Sequence, residues 1–216
     1  MTQPTDATPE GTTPESATPA ATRKRPKPGE RRNQILEMLA HMLEKPNAER
    51  ITTATLAARL EVSEAALYRH FASKAQMFDA LLEFIEQAIF GLINQINERE
   101  ENPALRAPRI VAMLLQFAEK NPGMARVMVG DALVFENARL QQRVNLLFDK
   151  VESSLRQCLR QAAQEQSSAT PSVDAQVGAS VLAAFAVGRM QRFVRSEFRQ
   201  KPSEHLDACL QIMLGN

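Results

Sequence analysis

The sequence predicts an all-α protein, opening with a three-helix helix-turn-helix module and continuing as a larger helical domain. Composition is the first reason. Leu, Ala, Met, Gln, Arg and Glu abound, aromatics are 5% and Trp is absent, and such straight-chain residues lose little rotamer freedom in a helix. Periodicity is the second: from Arg31 onward apolar residues recur at i, i+3 and i+4, and strand-like alternation is lacking. The third is a pair of short amphipathic segments, 53–60 and 64–71, joined by a turn of three to four residues.

The elements follow in order. Residues 1–22 carry Pro4, Pro9, Pro14 and Pro19 among Thr, Ala, Ser and Glu. Such a stretch buries too little apolar surface to offset its ordering entropy, so it is expected to be disordered. A basic arm, RKRPKPGERR, follows; it fits a phosphate backbone or minor groove as well as a solvated tail. A stripe of Ile35, Leu36, Leu39, Met42 and Leu43 marks the first helix, stopped by Pro46-Asn47. Thr53–Leu60 is the second, and Ser63 caps a third that ends near Phe71. Ser73-Lys74-Ala75-Gln76 has the form of a capping box and opens a long helix with Phe78, Leu81, Leu82, Ile85, Ile89, Leu92, Ile93 and Ile96 inward.

Asn102-Pro103 and Asn121-Pro122 both read as N-cap plus proline at the first helical position, with Pro108 kinking or delaying the helix between them. A long helix is expected over roughly 133–166. After a polar loop at 167–172 an apolar helix runs to about Phe198, and Pro202 begins a last one ending at Gly215. These elements divide the chain into a tail (1–30), a helix-turn-helix domain (31–75) and a second helical domain (76–216).

Charge distribution bears on function more than the net charge of +1 does. Residues 1–22 carry three acids and no base, whereas over residues 23–80 eleven bases face seven acids. That basic excess surrounds the helix pair, as a nucleic-acid footprint would. Leu56, Leu60, Val62 and Leu67 supply the apolar contacts that fix the crossing, and Ala57 is small where two helices approach. In such a unit the N-terminal residues of the second helix meet base edges, which makes Ser63, Glu64 and Ala65 the candidate readers. Glu64 suits a cytosine amino group and Ala65 a thymine methyl. Tyr68 and His70 offer hydrogen bonds to phosphates. Lys74 adds a charge at a helix N-terminus, and Thr52 or Thr53 can act likewise. Phe71 is assigned to the core.

The stretch LAARLEVSEAALYRHFASKAQMFDALLEFIE resembles the N-terminal module of TetR-type regulators from about Arg31 to Ile85. The resemblance implies a TetR-like fold whose C-terminal helices dimerise, with two modules on a palindromic site. The last two helices are the expected dimer bundle. Gly178, Ala179, Ala183, Ala184, Ala186 and Gly188 permit close packing there, either between subunits or within one chain. Whether one dimer or more shares each site stays open.

A second resemblance spans nearly the whole chain from Arg23. It rests on the stretch above together with EKNPGMARVMVGDALVFENARLQQRVNLLFDKVE and RFVRSEFRQKP, and it is to nucleoid occlusion factors of the SlmA type. This resemblance implies an inhibitor that, once bound to palindromes spread over the chromosome, antagonises the division protein FtsZ. On the long fourth helix Phe84 lies about 120° from the apolar stripe, beside Met77 and Ala88, and on the next helix Met113 and Lys120 share a flank. Two readings fit: Phe84 and Met77 pack the helix against the DNA-binding module, or the off-stripe Phe, Met and Lys anchor a partner peptide. The resemblance favours the second and implies FtsZ contacts at Phe84, Met113, Lys120 and Asn121. The chain departs from the pattern at Leu92, where an arginine is expected, and at Gln116, where a glycine is.

Catalysis has no support in the sequence. His41, His70 and His205 sit in unrelated segments, and there is no phosphate loop, metal-ligand spacing or nucleophile elbow. No cofactor is called for. Cys158 and Cys209 read as buried thiols of a reduced protein. The N-terminus lacks an apolar signal core, and the longest apolar stretch, Val177 to Val187, is too short to span a membrane. The expectation is a cytoplasmic, nucleoid-associated protein. The competing expectation is a repressor released from its operator by a small molecule.

Overall fold

The computed structural model describes residues 29–45, 51–134 and 136–215. The expected tail, most of the basic arm and the Pro46-Asn47 stop lie outside the described residues. Among those described, all regular structure is helical. In chain order the helices are α1 (Glu30–Leu43), α2 (Thr53–Arg59), α3 (Glu64–Tyr68), α4 (Lys74–Arg99), α5 (Pro103–Lys120), α6 (Pro122–Met128), α7 (Ala138–Glu165), α8 (Pro171–Arg195) and α9 (Leu206–Leu214).

The helix-turn-helix forms for local reasons. Thr52 caps α2 by accepting from the Thr55 N–H at 3.1 Å, and Thr55 Oγ1 accepts in return from the Thr52 N–H at 3.0 Å. Reciprocal capping satisfies two otherwise unpaired donors, and a single cap is worth ~1 kcal/mol. The helix ends in a Schellman motif: Glu61 takes φ +53°, Val62 N–H reaches Ala57 O at 3.0 Å, and Glu61 N–H reaches Ala58 O at 3.2 Å. Ser63 then caps α3 through the Ala66 N–H at 3.2 Å. Leu56, Ala57, Leu67 and Phe71 are buried beneath the pair, as expected, with Leu60 and Val62 half-buried around them.

Several expected helix ends move, and each has an identifiable cause. Ser73 caps α4 through Gln76 N–H, but the Gln76 side chain accepts from Ala72 N–H instead of Ser73, so the capping box is not reciprocal. Pro108 sits inside an uninterrupted α5. Asn102 caps that helix through Ala104 N–H at 3.0 Å, whereas the Asn121 amide donates back to Phe117 O at 2.8 Å and caps nothing. The helix expected from residue 133 begins only at Ala138. Gly130 takes φ +77°, a 3-10 turn covers Asp131–Leu133, and Asn137 captures the Arg139 N–H at 2.9 Å.

Downstream, α8 stops at Arg195, short of Phe198, in a Schellman motif. Phe198 N–H bonds Phe193 O at 2.9 Å, and the two rings meet at a tilt of 57° with centroids 5.2 Å apart. A similar bond from Ser168 N–H to Ala163 O closes α7. The last helix begins at Leu206, after turns that include His205 at φ +54°, not at Pro202.

The core is continuous from Ile35 in the N-terminal module to Leu210 in the last helix. In the body Ile110, Val111, Leu114, Leu115, Leu155, Ala179 and Leu182 are fully enclosed. Cys158 is buried, and burial pushes its thiol pKa up, while Cys209 is only half-buried. Among the described residues no helix is long and apolar enough to cross a membrane.

Three links join module to body. At Gly123 in α6 an added Cβ would lie 1.9 Å from Ala40 O, so α1 and α6 meet backbone to backbone. Arg126 spans the same junction, its Nε on Asp131 Oδ2 at 2.6 Å and its guanidinium on Leu43 O at 3.3 Å. Lys74 Nζ pairs with Glu136 Oε1 at 2.5 Å.

Candidate nucleic-acid interface and partner groove

The residues expected to contact DNA lie on or beside α2 and α3, with Lys74 at the start of α4. Ser63, Glu64 and Ala65 occupy the exposed start of α3, and Thr52 and Thr53 sit at the start of α2. The Thr53 hydroxyl donates to Glu64 Oε2 at 2.5 Å, and Tyr68 OH lies 3.5 Å from Thr53 Oγ1. One chain of hydroxyls therefore ties the start of α2 to α3. Tyr68 remains 48% exposed, enough to meet a backbone phosphate as well.

His70 is exposed and its ring carries no described partner. Its carbonyl accepts from Arg32 at 3.2 Å, while the Arg32 guanidinium stacks 4.3 Å from the Phe71 ring centroid. Arg32 thus braces the end of the recognition helix, a role only spatial proximity across 38 residues reveals. Arg69, outside the expected set, is exposed and meets no charged partner among the described residues. Its signal was simply a base beside Tyr68. Lys74 differs from expectation: it is 20% exposed and engaged by Glu136, with its ammonium 5.6 Å from the Phe78 ring. For a free phosphate contact it must first leave that carboxylate.

Of the second set of residues, Met113 lines a groove between α4 and α5, whereas Phe84, Lys120 and Asn121 lie outside its lining. Leu92, Ile96, Ala112 and Met113 form its apolar floor, Gln95 and Gln116 its polar edge, and Arg99 and Arg109 its basic end, enclosing about 330 Å³. Arg109 pairs with the buried Glu100 at 2.5 Å. Of the two residues expected to pack or to bind, Met77 is fully buried and Phe84 is 45% exposed. Both departures from the expected pattern, Leu92 and Gln116, line the groove itself.

On the opposite flank of α4 a larger groove of about 780 Å³ meets α7. Its cations are already used: Arg143 bonds Asp79 at 2.7 Å and Glu86 at 3.4 Å, and Lys150 also pairs with Glu86. The Lys150 hydrogen bond is the main cause holding the Glu86 carboxyl below its ordinary range, and burial opposes it.

Outward on α8, Val173, Val177 and Val181 are exposed by 61%, 59% and 45%. With Ala184 and Gly188 they fall within about 80° of arc at 100° per residue. Ala179, Ala183 and Ala186 point inward, and a Cβ on Gly178 would touch Leu159 of α7 at 3.0 Å. The small-residue run thus serves both readings: one side packs within the chain, and the other is left uncovered.

Family comparisons agree with this division. Residues 35–81 match the model of bacterial regulatory proteins of the tetR family, and residues 102–216 match an SlmA-like model of the tetracyclin repressor-like C-terminal domain. The chain is 49% identical to a nucleoid occlusion factor SlmA of Shewanella frigidimarina over 177 residues, 82% of this chain and 89% of that one. It belongs to the SlmA family of nucleoid occlusion factors. An SlmA of Idiomarina loihiensis is likewise 49% identical, over 85% of this chain and 93% of its own.

Solved structures extend the likeness to the fold alone. The fatty acid degradation regulator FadR of Bacillus halodurans superposes with a TM-score of 0.73 at 13% identity, covering 88% of this chain and 97% of that one. AibR, solved with isovaleryl coenzyme A and operator DNA, gives 0.64 at 16% identity over 84% and 97%. Thus the all-helical TetR-type architecture and SlmA family membership expected from the sequence both stand.

Proposed function

We propose that this SlmA-family chain is a homodimeric, sequence-specific DNA-binding protein that, when bound to chromosomal palindromes, inhibits FtsZ ring assembly and so blocks division over the nucleoid. Residues 31–75 form the DNA-binding domain and 76–216 the dimerisation and partner domain. The observation that carries the proposal is the shared use of α4. Its first turn closes the DNA-binding module, Phe84, ten residues and ~15 Å further on, is exposed on the same helix, and the Leu92–Arg99 stretch beyond it lines the α4/α5 groove.

Ser63, Glu64 and Ala65 are the base readers, and Thr52, Tyr68 and His70 position the module on phosphates. Thr53 belongs to the same face through Glu64, to which its hydroxyl is hydrogen-bonded. Lys74 joins the phosphate contacts once released from Glu136. Phe84, Met113, Lys120 and Asn121 receive FtsZ. The apolar lining of the groove with Arg99 at its edge, and Lys120 at the end of α5, suit a segment that carries apolar anchors and acidic side chains. The uncovered valine face of α8, with α9 beside it, pairs two subunits, since large exposed apolar patches mark association surfaces. The setting is the cytoplasm, on the nucleoid.

The test is sedimentation of FtsZ polymer with GTP, with and without the protein bound to its palindrome. DNA-dependent loss of pelleted polymer is expected, and an unchanged pellet overturns the proposal. The alternative, a repressor released by a small molecule, predicts instead a metabolite that loosens DNA and raises the melting temperature. The filled interior around Ile110, Leu114, Leu115 and Leu182 favours the FtsZ reading.

A further inference from the structure

The Thr53–Glu64 hydrogen bond changes what each residue can do at a DNA surface. An ionised carboxylate has only acceptor oxygens, and a free glutamate on an exposed helix rotates both of them through many positions. Here Oε2 is occupied by the Thr53 hydroxyl at 2.5 Å, and Thr53 Oγ1 in turn faces Tyr68 OH at 3.5 Å. Thr53 therefore commits its only hydroxyl hydrogen to a bond with Glu64, and has none left to donate to a phosphate. Glu64 keeps one oxygen, Oε1, at the exposed first position of α3.

We propose that Thr53 is a positioning residue that fixes Glu64 as a single-acceptor reader of cytosine. The inference rests on the DNA-binding reading above. In the major groove the base-edge donors are the cytosine and adenine amino groups; guanine and thymine present acceptors. At cytosine a lone, immobilised carboxylate oxygen meets an amino group flanked by a single acceptor, guanine O6, and by the C5–H edge. At adenine it also faces the N7 lone pair, and at guanine or thymine it meets oxygen. The sequence suggests that Glu64 suits cytosine, and the hydroxyl relay supplies the reason the preference is sharp. Two threonines that look equivalent in sequence thereby take different tasks. Thr52 caps the backbone of α2, and Thr53 aims a side chain on α3.

The test selects duplexes from a random library with the full-length protein and compares base preferences among variants. Wild type is expected to enrich a palindrome with one cytosine per half-site favoured about tenfold or more over thymine. Thr53→Val, which keeps the shape and removes the hydroxyl, should reduce that preference to within about threefold. Binding to unrelated duplex should stay unchanged. Thr53→Ser should retain the preference, Glu64→Ala should abolish it, and the double variant should be no worse than Glu64→Ala alone, because the threonine acts through the carboxylate.

A Thr53→Val protein with wild-type base preference overturns the inference, as does a loss of affinity equal on all sequences, which marks a phosphate contact instead. Failure of wild type to enrich any sequence overturns the DNA-binding reading itself, a separate outcome. Circular dichroism melts of each variant exclude unfolding as the cause of lost preference.

Discussion

Gly123 in α6 and Ala40 in α1 touch so closely that a Cβ on the glycine would stand 1.9 Å from the Ala40 carbonyl oxygen and 3.2 Å from Leu43 Cβ. No side chain can swing aside to relieve the clash, because the obstruction is backbone. Gly123→Ala should therefore push the DNA-binding module away from the body. Overpacking of this kind typically costs ~1–3 kcal/mol. The expected result is a lower melting temperature and weaker DNA binding together, read by calorimetry and fluorescence anisotropy. A variant with wild-type stability would mean that α1 and α6 are not held together here.

Lys74 offers a second test, because one ammonium has two possible partners. Glu136→Gln removes the charge that holds it. If Lys74 then turns to phosphate, affinity for duplex at low salt should rise several-fold and the salt slope should steepen by ~0.9 for each added contact. Lys74→Ala should weaken and flatten binding on all sequences. A purely structural Lys74 predicts another pattern, in which both variants lower the melting temperature and neither moves the slope.

On α4 and at the end of α5, Phe84→Ala and Lys120→Glu should abolish the effect on FtsZ polymer while DNA affinity stays within about threefold, since neither side chain belongs to the DNA face. Loss of DNA binding in the Lys120 variant would show that the two surfaces are not separate.

Val177 lies at the centre of the exposed α8 stripe. Val177→Asp sets a charge on that face, and a desolvated unpaired charge costs several kcal/mol. Light scattering should report a monomer with helical content preserved, and a variant that remains a dimer would move the interface elsewhere.

The Glu86 network makes a pH prediction. Its carboxyl pKa is lowered in the folded protein, first by Lys150 and then by Arg143. A depressed carboxylate contributes stability that is present above its unfolded pKa and lost as pH falls through the folded one. Lys150→Met should thus destabilise the protein at pH 7 by no more than ~1 kcal/mol, because the site is partly solvated. The difference from wild type should vanish below the ordinary glutamate range near pH ~4. Equal stability of the two proteins at pH 7 would remove Glu86 as a contributor.

Sequence and structure divide this protein along a physical line. Periodicity and caps are local, so the helices, the Ser63 and Asn102 N-caps and the burial of Phe71 were legible from spacing alone. The dense match around Val62 to Phe78 carried the family. What spacing could not give was the end of α8, which closes through a Schellman bond with Glu197 where glycine is the usual signal.

Nor could spacing give pairings between residues distant in the chain. Lys74 reads as a free phosphate ligand until Glu136, 62 residues later, neutralises it. Thr53 reads as a second phosphate-facing threonine until its hydroxyl is found bonded to Glu64. Met77 and Phe84 read alike until packing buries one and leaves the other in water. The sequence by itself determined which helices form and which family they build, because those depend on neighbours within a few residues. Only the tertiary structure decided which charges and hydroxyls are already spent, because that depends on which helix lies across from them.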